Sequence, residues 1–127
     1  MSLCIAAAGK TVTLAVAAFT LSWTHSVERT RWEEDWKITP SGFEIVEARV
    51  EGSGAGMEPG EAAVLRDGCW IYKPELPLQR AIVLAASGAT GEGWRLCVAQ
   101  TCREIGATPG APVELTSCAG EGSSQPR

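Results

Sequence analysis

Apolar and polar residues alternate with period two along most of this chain, and clusters of glycine or proline interrupt the alternation about every ten residues. The pattern predicts an all-β fold, in which each strand buries one face and short turns join neighbours. Leu3 and Ile5 alternate with small residues, and Gly9-Lys10 turns the chain into a run where Val12, Leu14 and Val16 alternate with Thr11, Thr13 and Ala15. Phe19, Leu21, Trp23, His25 and Val27 then share one face of a strand, with Thr20, Ser22, Thr24 and Ser26 on the other. After Glu28 the alternation resumes: Trp32, Glu34, Trp36 and Ile38 stand opposite Glu33, Asp35 and Lys37, up to Pro40-Ser41-Gly42.

A third run, Phe43 to Glu51, meets a glycine-rich loop from Gly52 to Gly60. Asp67-Gly68 lies between Val64-Leu65-Arg66 and Cys69-Trp70-Ile71-Tyr72, and this dipeptide favours the type I′ turn of a two-residue hairpin. Pro74 to Pro77 reads as a linker, Ala81 to Ala86 as a fully buried strand and Gly88 to Gly93 as a turn. Trp94 to Val98 and Cys102 to Ile105 predict a last hairpin, followed by an edge strand from Val113 to Ser117. The sum is a small antiparallel β-sandwich or partly open barrel built from hairpins. Residues 1–118 form one domain, and the small, polar residues 119–127 form a flexible tail.

Composition bounds what such a domain does. At 127 residues the chain is long enough for one modest core, and its 45% hydrophobic and 20% charged content is that of a folded protein. The 11 basic residues are scattered against 15 acidic ones, so there is no clustered basic face for nucleic acid. No apolar stretch reaches the roughly 18 to 20 residues of a membrane span. Ala15-Val16-Ala17 resembles a signal cleavage site, but the positive charge at Lys10 sits late and the run alternates like a strand. The lack of a clear signal favours the cytoplasm.

Five cysteines are an odd number, which leaves at least one thiol outside any set of internal disulfides. Cys97 and Cys102 are the expected pair, because they bracket a four-residue loop between two short strands, and Cys4 with Cys118 is a second pairing near the two ends. Free thiols in a reducing compartment are the alternative. Neither spacing is that of a structural zinc site, and the chain has one histidine, so no metal or other cofactor is expected.

Candidate chemistry centres on that histidine. A tight hairpin with Arg29-Thr30 at its tip would set His25 across from Glu34, Trp23 across from Trp36 and Val27 across from Trp32. A histidine beside a carboxylate and walled by indoles is the arrangement of a tuned general base, and equally of a structural hydrogen bond on an apolar face. Ser26, adjacent to His25 and on the opposite face, forms no triad with it. The Gly52 to Gly60 loop lacks the ending of a phosphate-binding loop, which leaves Gly54 and Gly56 as residues of a turn or a binding loop.

Phe19-Thr20-Leu21-Ser22-Trp23-Thr24-His25-Ser26-Val27-Glu28-Arg29-Thr30, Glu34 and the segment Gly54-Ala55-Gly56-Met57-Glu58-Pro59 together resemble a bacterial family catalogued as domain of unknown function 1850. The resemblance runs from about Leu3 to Ile105. It implies a small accessory protein associated with tripartite ATP-independent periplasmic (TRAP) transporters of the TAXI type, and hence a link to solute uptake and a periplasmic setting. The expectation is a non-enzymatic accessory or binding protein whose partner is the transporter's membrane subunit or its solute-binding protein. Its contact residues would be Trp23, His25, Ser26, Glu28, Trp32, Glu34, Trp36, Gly54 and Gly56. The alternative is a small hydrolase or isomerase with His25 as general base oriented by Glu34.

Overall fold

The computed structural model describes residues 2–24, 30–51, 63–86 and 93–118, and every regular element among them is a strand. In chain order these are β1 (Ser2–Ala7), β2 (Lys10–Leu14), β3 (Ala18–Thr24), β4 (Arg31–Thr39), β5 (Gly42–Glu51) and β6 (Val64–Arg66). They continue with β7 (Cys69–Tyr72), β8 (Ala81–Ala86), β9 (Trp94–Val98), β10 (Thr101–Ile105) and β11 (Gly110–Cys118). A four-stranded sheet, in the order β2-β1-β11-β8, packs against a seven-stranded one, β10-β9-β3-β4-β5-β7-β6. All pairings are antiparallel and neither sheet closes on itself, so the fold is a sandwich and not a barrel.

Period-two burial builds the core. Leu3 and Ile5 of β1, Leu84 of β8 and Val113 and Leu115 of β11 face Phe19 and Leu21 of β3, Trp36 and Ile38 of β4, Phe43 and Ile45 of β5 and Leu96 of β9. Phe19 and Phe43 meet edge to face with ring centroids 5.6 Å apart. A bulge in β5 follows from the pairing of Asp35 with Glu47 but Trp36 with Ile45; Val46 is the extra residue and is exposed.

The hairpin turns follow their residues. Asp67 and Gly68 have φ of 54° and 80°, the two positive values of the type I′ turn that the dipeptide predicts. The first hairpin turns one residue earlier than expected. Lys10 already pairs with Ala7, and Ala8 and Gly9 take positive φ instead of Gly9 and Lys10. At Gly42, φ is 147° and a Cβ would collide with the Gln79 carbonyl. The bare backbone therefore lets Phe43 and Gln79 exchange two hydrogen bonds, 2.7 and 2.9 Å.

Two strands exchange the places expected for them. The run Ala81 to Ala86 is an edge strand of the small sheet, not a fully buried one, and Val83 is 62% exposed. Val113 to Ser117, expected at an edge, lies between β1 and β8 in the middle of that sheet. An all-apolar run carries no alternation to reveal its solvated face, whereas Glu114 in β11 gives a central strand the polarity of an edge.

Both cysteine pairs are disulfides: Cys97 with Cys102, Cα atoms 4.0 Å apart, and Cys4 with Cys118, 6.0 Å apart. Cys69 keeps its thiol and is half-buried. Cys97 and Cys102 are direct cross-strand partners, and because Val98 pairs with Thr101, the turn between them is Ala99-Gln100 alone, shorter than the four-residue loop expected. No described helix is long and apolar enough to cross a membrane.

Candidate functional site

The β3–β4 hairpin sets up the candidate site, in a register four residues away from the tight-turn expectation. Trp23 pairs with Trp32, Leu21 with Glu34 and Phe19 with Trp36. Glu34 therefore faces Leu21, not His25, and Trp23 does not face Trp36. Arg31 pairs with Thr24, where an Arg29-Thr30 tip would pair it with Glu28, and the sequence between them lacks the Asn-Gly or Asp-Gly that closes a two-residue hairpin. A displacement of four is even, so each side chain keeps the face that alternation assigns it. His25, Ser26 and Glu28, like Gly54 and Gly56, lie outside the described residues, as does the tail 119–127.

Trp23, Trp32, Glu34 and Trp36 do come together on the inner face of the large sheet. Trp23 and Trp32 stack with centroids 6.1 Å apart and planes 10° apart, and Trp23 also meets Trp94, centroids 4.9 Å apart. Continuing across the sheet, Trp32 pairs with Val50, Val50 with Trp70 and Trp70 with Leu65. The result is a transverse row, Trp94-Trp23-Trp32-Val50-Trp70-Leu65, in which all four indoles are half-buried. Trp94 donates its ring N–H to the Ala85 carbonyl at 2.9 Å. The ring nitrogens of Trp32 and Trp70 are buried and have no hydrogen-bond partner among the described residues.

Glu34 stands in the next row inward, between Leu21 and Ala48, with Tyr72 beyond. Burial pushes its carboxyl above the usual carboxylate range, against the hydrogen bond that Trp36 Nε1–H donates to it at 3.0 Å. The Tyr72 hydroxyl is pushed up as well, by burial first and by the charge of Glu34 second. The inner end of the sheet thus offers aromatic surface and a carboxyl that burial makes more reluctant to ionise.

The outer face has the opposite character, and the sequence pattern assigns it no role. Arg49 of β5 gathers three carboxylates: Glu33 at 3.0 Å, Asp35 through two bonds of 2.9 Å, and Glu47 at 2.7 Å. Thr20 donates a further hydrogen bond to Asp35 at 2.8 Å. The Arg49 hydrogen bonds hold Asp35 below the usual carboxylate range, and the same bonds raise the Arg49 guanidinium. Only the strand pairing could reveal this cluster, because Glu33 and Arg49 meet as cross-strand neighbours. Among the described residues no group of three or more His, Cys, Asp or Glu side chains is arranged to hold a metal ion.

The model of a domain of unknown function, DUF1850, matches residues 19–105, which takes in β3 to β10 and with them the aromatic row and Glu34. The chain belongs to this family. Within the DUF1850 match lie all the strands of the seven-stranded sheet except the first residue of β3, whereas β1, β2 and β11 of the small sheet fall outside it. No curated protein and no solved structure matches the chain.

Proposed function

We propose that this DUF1850 protein is a non-enzymatic binding module that works beside a TAXI-type TRAP transporter and engages its partner through the inner aromatic row and Glu34. What supports a binding role is the row itself: four half-buried indoles spread across one sheet end, next to a carboxyl that has no ion pair among the described residues. Large amphipathic rings are among the side chains that carry most energy at protein interfaces. The transporter setting comes from the family resemblance carried by Phe19 to Thr30, Glu34 and the segment Gly54 to Pro59. The enzymatic alternative has no cross-strand pairing to rest on, since the register opposes Glu34 to Leu21.

The test is retention of a purified TAXI-type solute-binding protein, and of the detergent-solubilised transporter subunit from the same cell, on immobilised chain. The wild type should retain one of them, while Trp32→Ala and Glu34→Gln weaken retention by about tenfold or more. A wild-type chain that holds neither subunit overturns the transporter reading. Equal retention by wild type and both variants overturns the aromatic row as the contact.

A further inference from the structure

A second site lies on the outer face, at the β3–β9–β10 side of the large sheet. It is a cavity of about 520 Å³, lined by Ser22, Thr24, Arg31, Arg95, Arg103 and Glu104 among others. That volume is in the range that holds small organic molecules and far exceeds a single inorganic ion. The strand pairing explains how it is built. Thr24 pairs with Arg31 on one side, Ser22 with Arg95 on the other, and Arg95 in turn with Glu104. These five side chains therefore share one face, with β3 as the floor between two arginine-bearing strands.

The charge balance here is unlike that of the rest of the molecule. The chain carries a net charge of −4, yet the side chains that share this face of the cavity include two arginines and one glutamate. Glu104 Oε2 accepts a hydrogen bond from the backbone N–H of Gly93, at 2.9 Å, and among the described residues Glu104 has no ion pair. Arg95 and Arg103 have no ion pair among the described residues. Arg31 has a loose one, 3.6 Å to Glu33, whose other oxygen already serves Arg49. Ser22 is 3% exposed, and its hydroxyl accepts a hydrogen bond from Arg31 Nη2 at 3.3 Å, so the floor of the cavity is polar and already organised.

We propose that this cavity binds a small organic dianion with its two oxyanion groups at opposite ends, one held by Arg31 and the other by Arg95, over the Ser22 and Thr24 hydroxyls. Two strand spacings separate the backbones of β4 and β9, about 10 Å, so the two guanidiniums approach from opposite sides and cannot close on one phosphate-sized group as naturally as on two separated ones. Arg103 pairs with the core residue Leu96 and so belongs to the opposite face, which leaves Arg31 and Arg95 as the two cationic side chains of the site. Trp23 lines the cavity and also belongs to the aromatic row, so the two sites adjoin through β3, but the anion site needs no transporter partner.

Calorimetric titration of the whole chain at low salt tests this, with glutarate, adipate and pimelate as two-ended dianions, and phenyl phosphate and inorganic phosphate as one-ended ones. One of the dicarboxylates should saturate at a single site and outbind both phosphates. Arg95→Met and Arg31→Met should each weaken it by about tenfold or more, while Arg66→Met, remote on β6, leaves it unchanged. In the wild type, amide chemical-shift changes should centre on Ser22, Thr24, Gly93 and Arg95, which keeps the test decisive even if a variant fails to fold. The absence of saturable binding, phosphates that bind as tightly as the dicarboxylates, chemical-shift changes elsewhere, or undiminished binding by folded Arg95→Met would overturn the proposal.

Discussion

Glu34 and Asp35 are neighbours in sequence and opposites in setting. The strand sends Glu34 inward among indoles, where burial makes its charge unfavourable, and Asp35 outward onto a guanidinium, where its charge is held by two hydrogen bonds. The inner face leaves polar groups unspent. The outer face around Arg49 is spent completely, with three carboxylates on one cation. A polar group that is fully paired holds a fold together, whereas one that is buried without a partner costs stability. The outer face itself is divided too, since Arg49 is saturated and Arg95 is not.

Removing the centre of the spent cluster should have the largest effect. Arg49→Met leaves Glu33, Asp35 and Glu47 repelling one another at a site where the arginine side chain is only 23% exposed. A loss of about 2 kcal/mol is expected, between the values for exposed and fully buried ion pairs, read as a fall in the urea midpoint. An unchanged midpoint would erase the contrast between the two faces.

Acid should separate Asp35 from Glu34 by sign. Asp35 binds its proton less readily in the folded chain, so its contribution to stability is present above the ordinary carboxylate pKa and is lost as pH falls through its lowered one. Asp35→Asn should flatten that acid limb. Glu34 binds its proton more readily when folded, so its effect runs the other way: stability falls as pH rises from the ordinary glutamate pKa through its raised one. Glu34→Gln should abolish this decline while the amide oxygen still accepts the Trp36 N–H, leaving the variant at least as stable as wild type at neutral pH. Urea titrations at closely spaced pH values from about 3 to about 8 resolve both limbs, since a tenfold change in proton affinity on folding is worth about 1.4 kcal/mol. Two limbs of the same sign would mean that the faces do not differ. The smallest effect is expected at Arg95→Met, within about 0.5 kcal/mol of wild type, because an exposed arginine without an ion pair supports little of the fold; thermal unfolding checks it.

The assignment of side chains to faces was legible from the sequence because it depends on parity alone. Trp23, Trp32, Glu34 and Trp36 share a face whether the hairpin register is the expected one or the one found four residues away. The partners themselves were not legible, since the residues 25–30 contain no turn dipeptide to fix the loop length. The rank of β8 and β11 within their sheet was hidden for a different reason. Strand order is a long-range property, and Ala81 to Ala86 carries no polar residue to mark its solvated side. The arginine cavity was out of reach too. Arg31 and Arg95 come to one face only through the pairing of β3 with both β4 and β9.

The Cys4–Cys118 bridge, which joins residues 114 positions apart, also sets how the domain would respond to being pulled. β1 and β11 run antiparallel with Ser2 beside Cys118, so tension applied at these two points would peel the pair apart one rung at a time, the weakest direction for a sheet. With the bridge closed, the peeling stops almost where it starts, and the load crosses from one strand to the other without entering the seven-stranded sheet. Held from both of these points, the aromatic row and the arginine cavity stay mechanically isolated, and a reductant becomes the condition under which force could reach them.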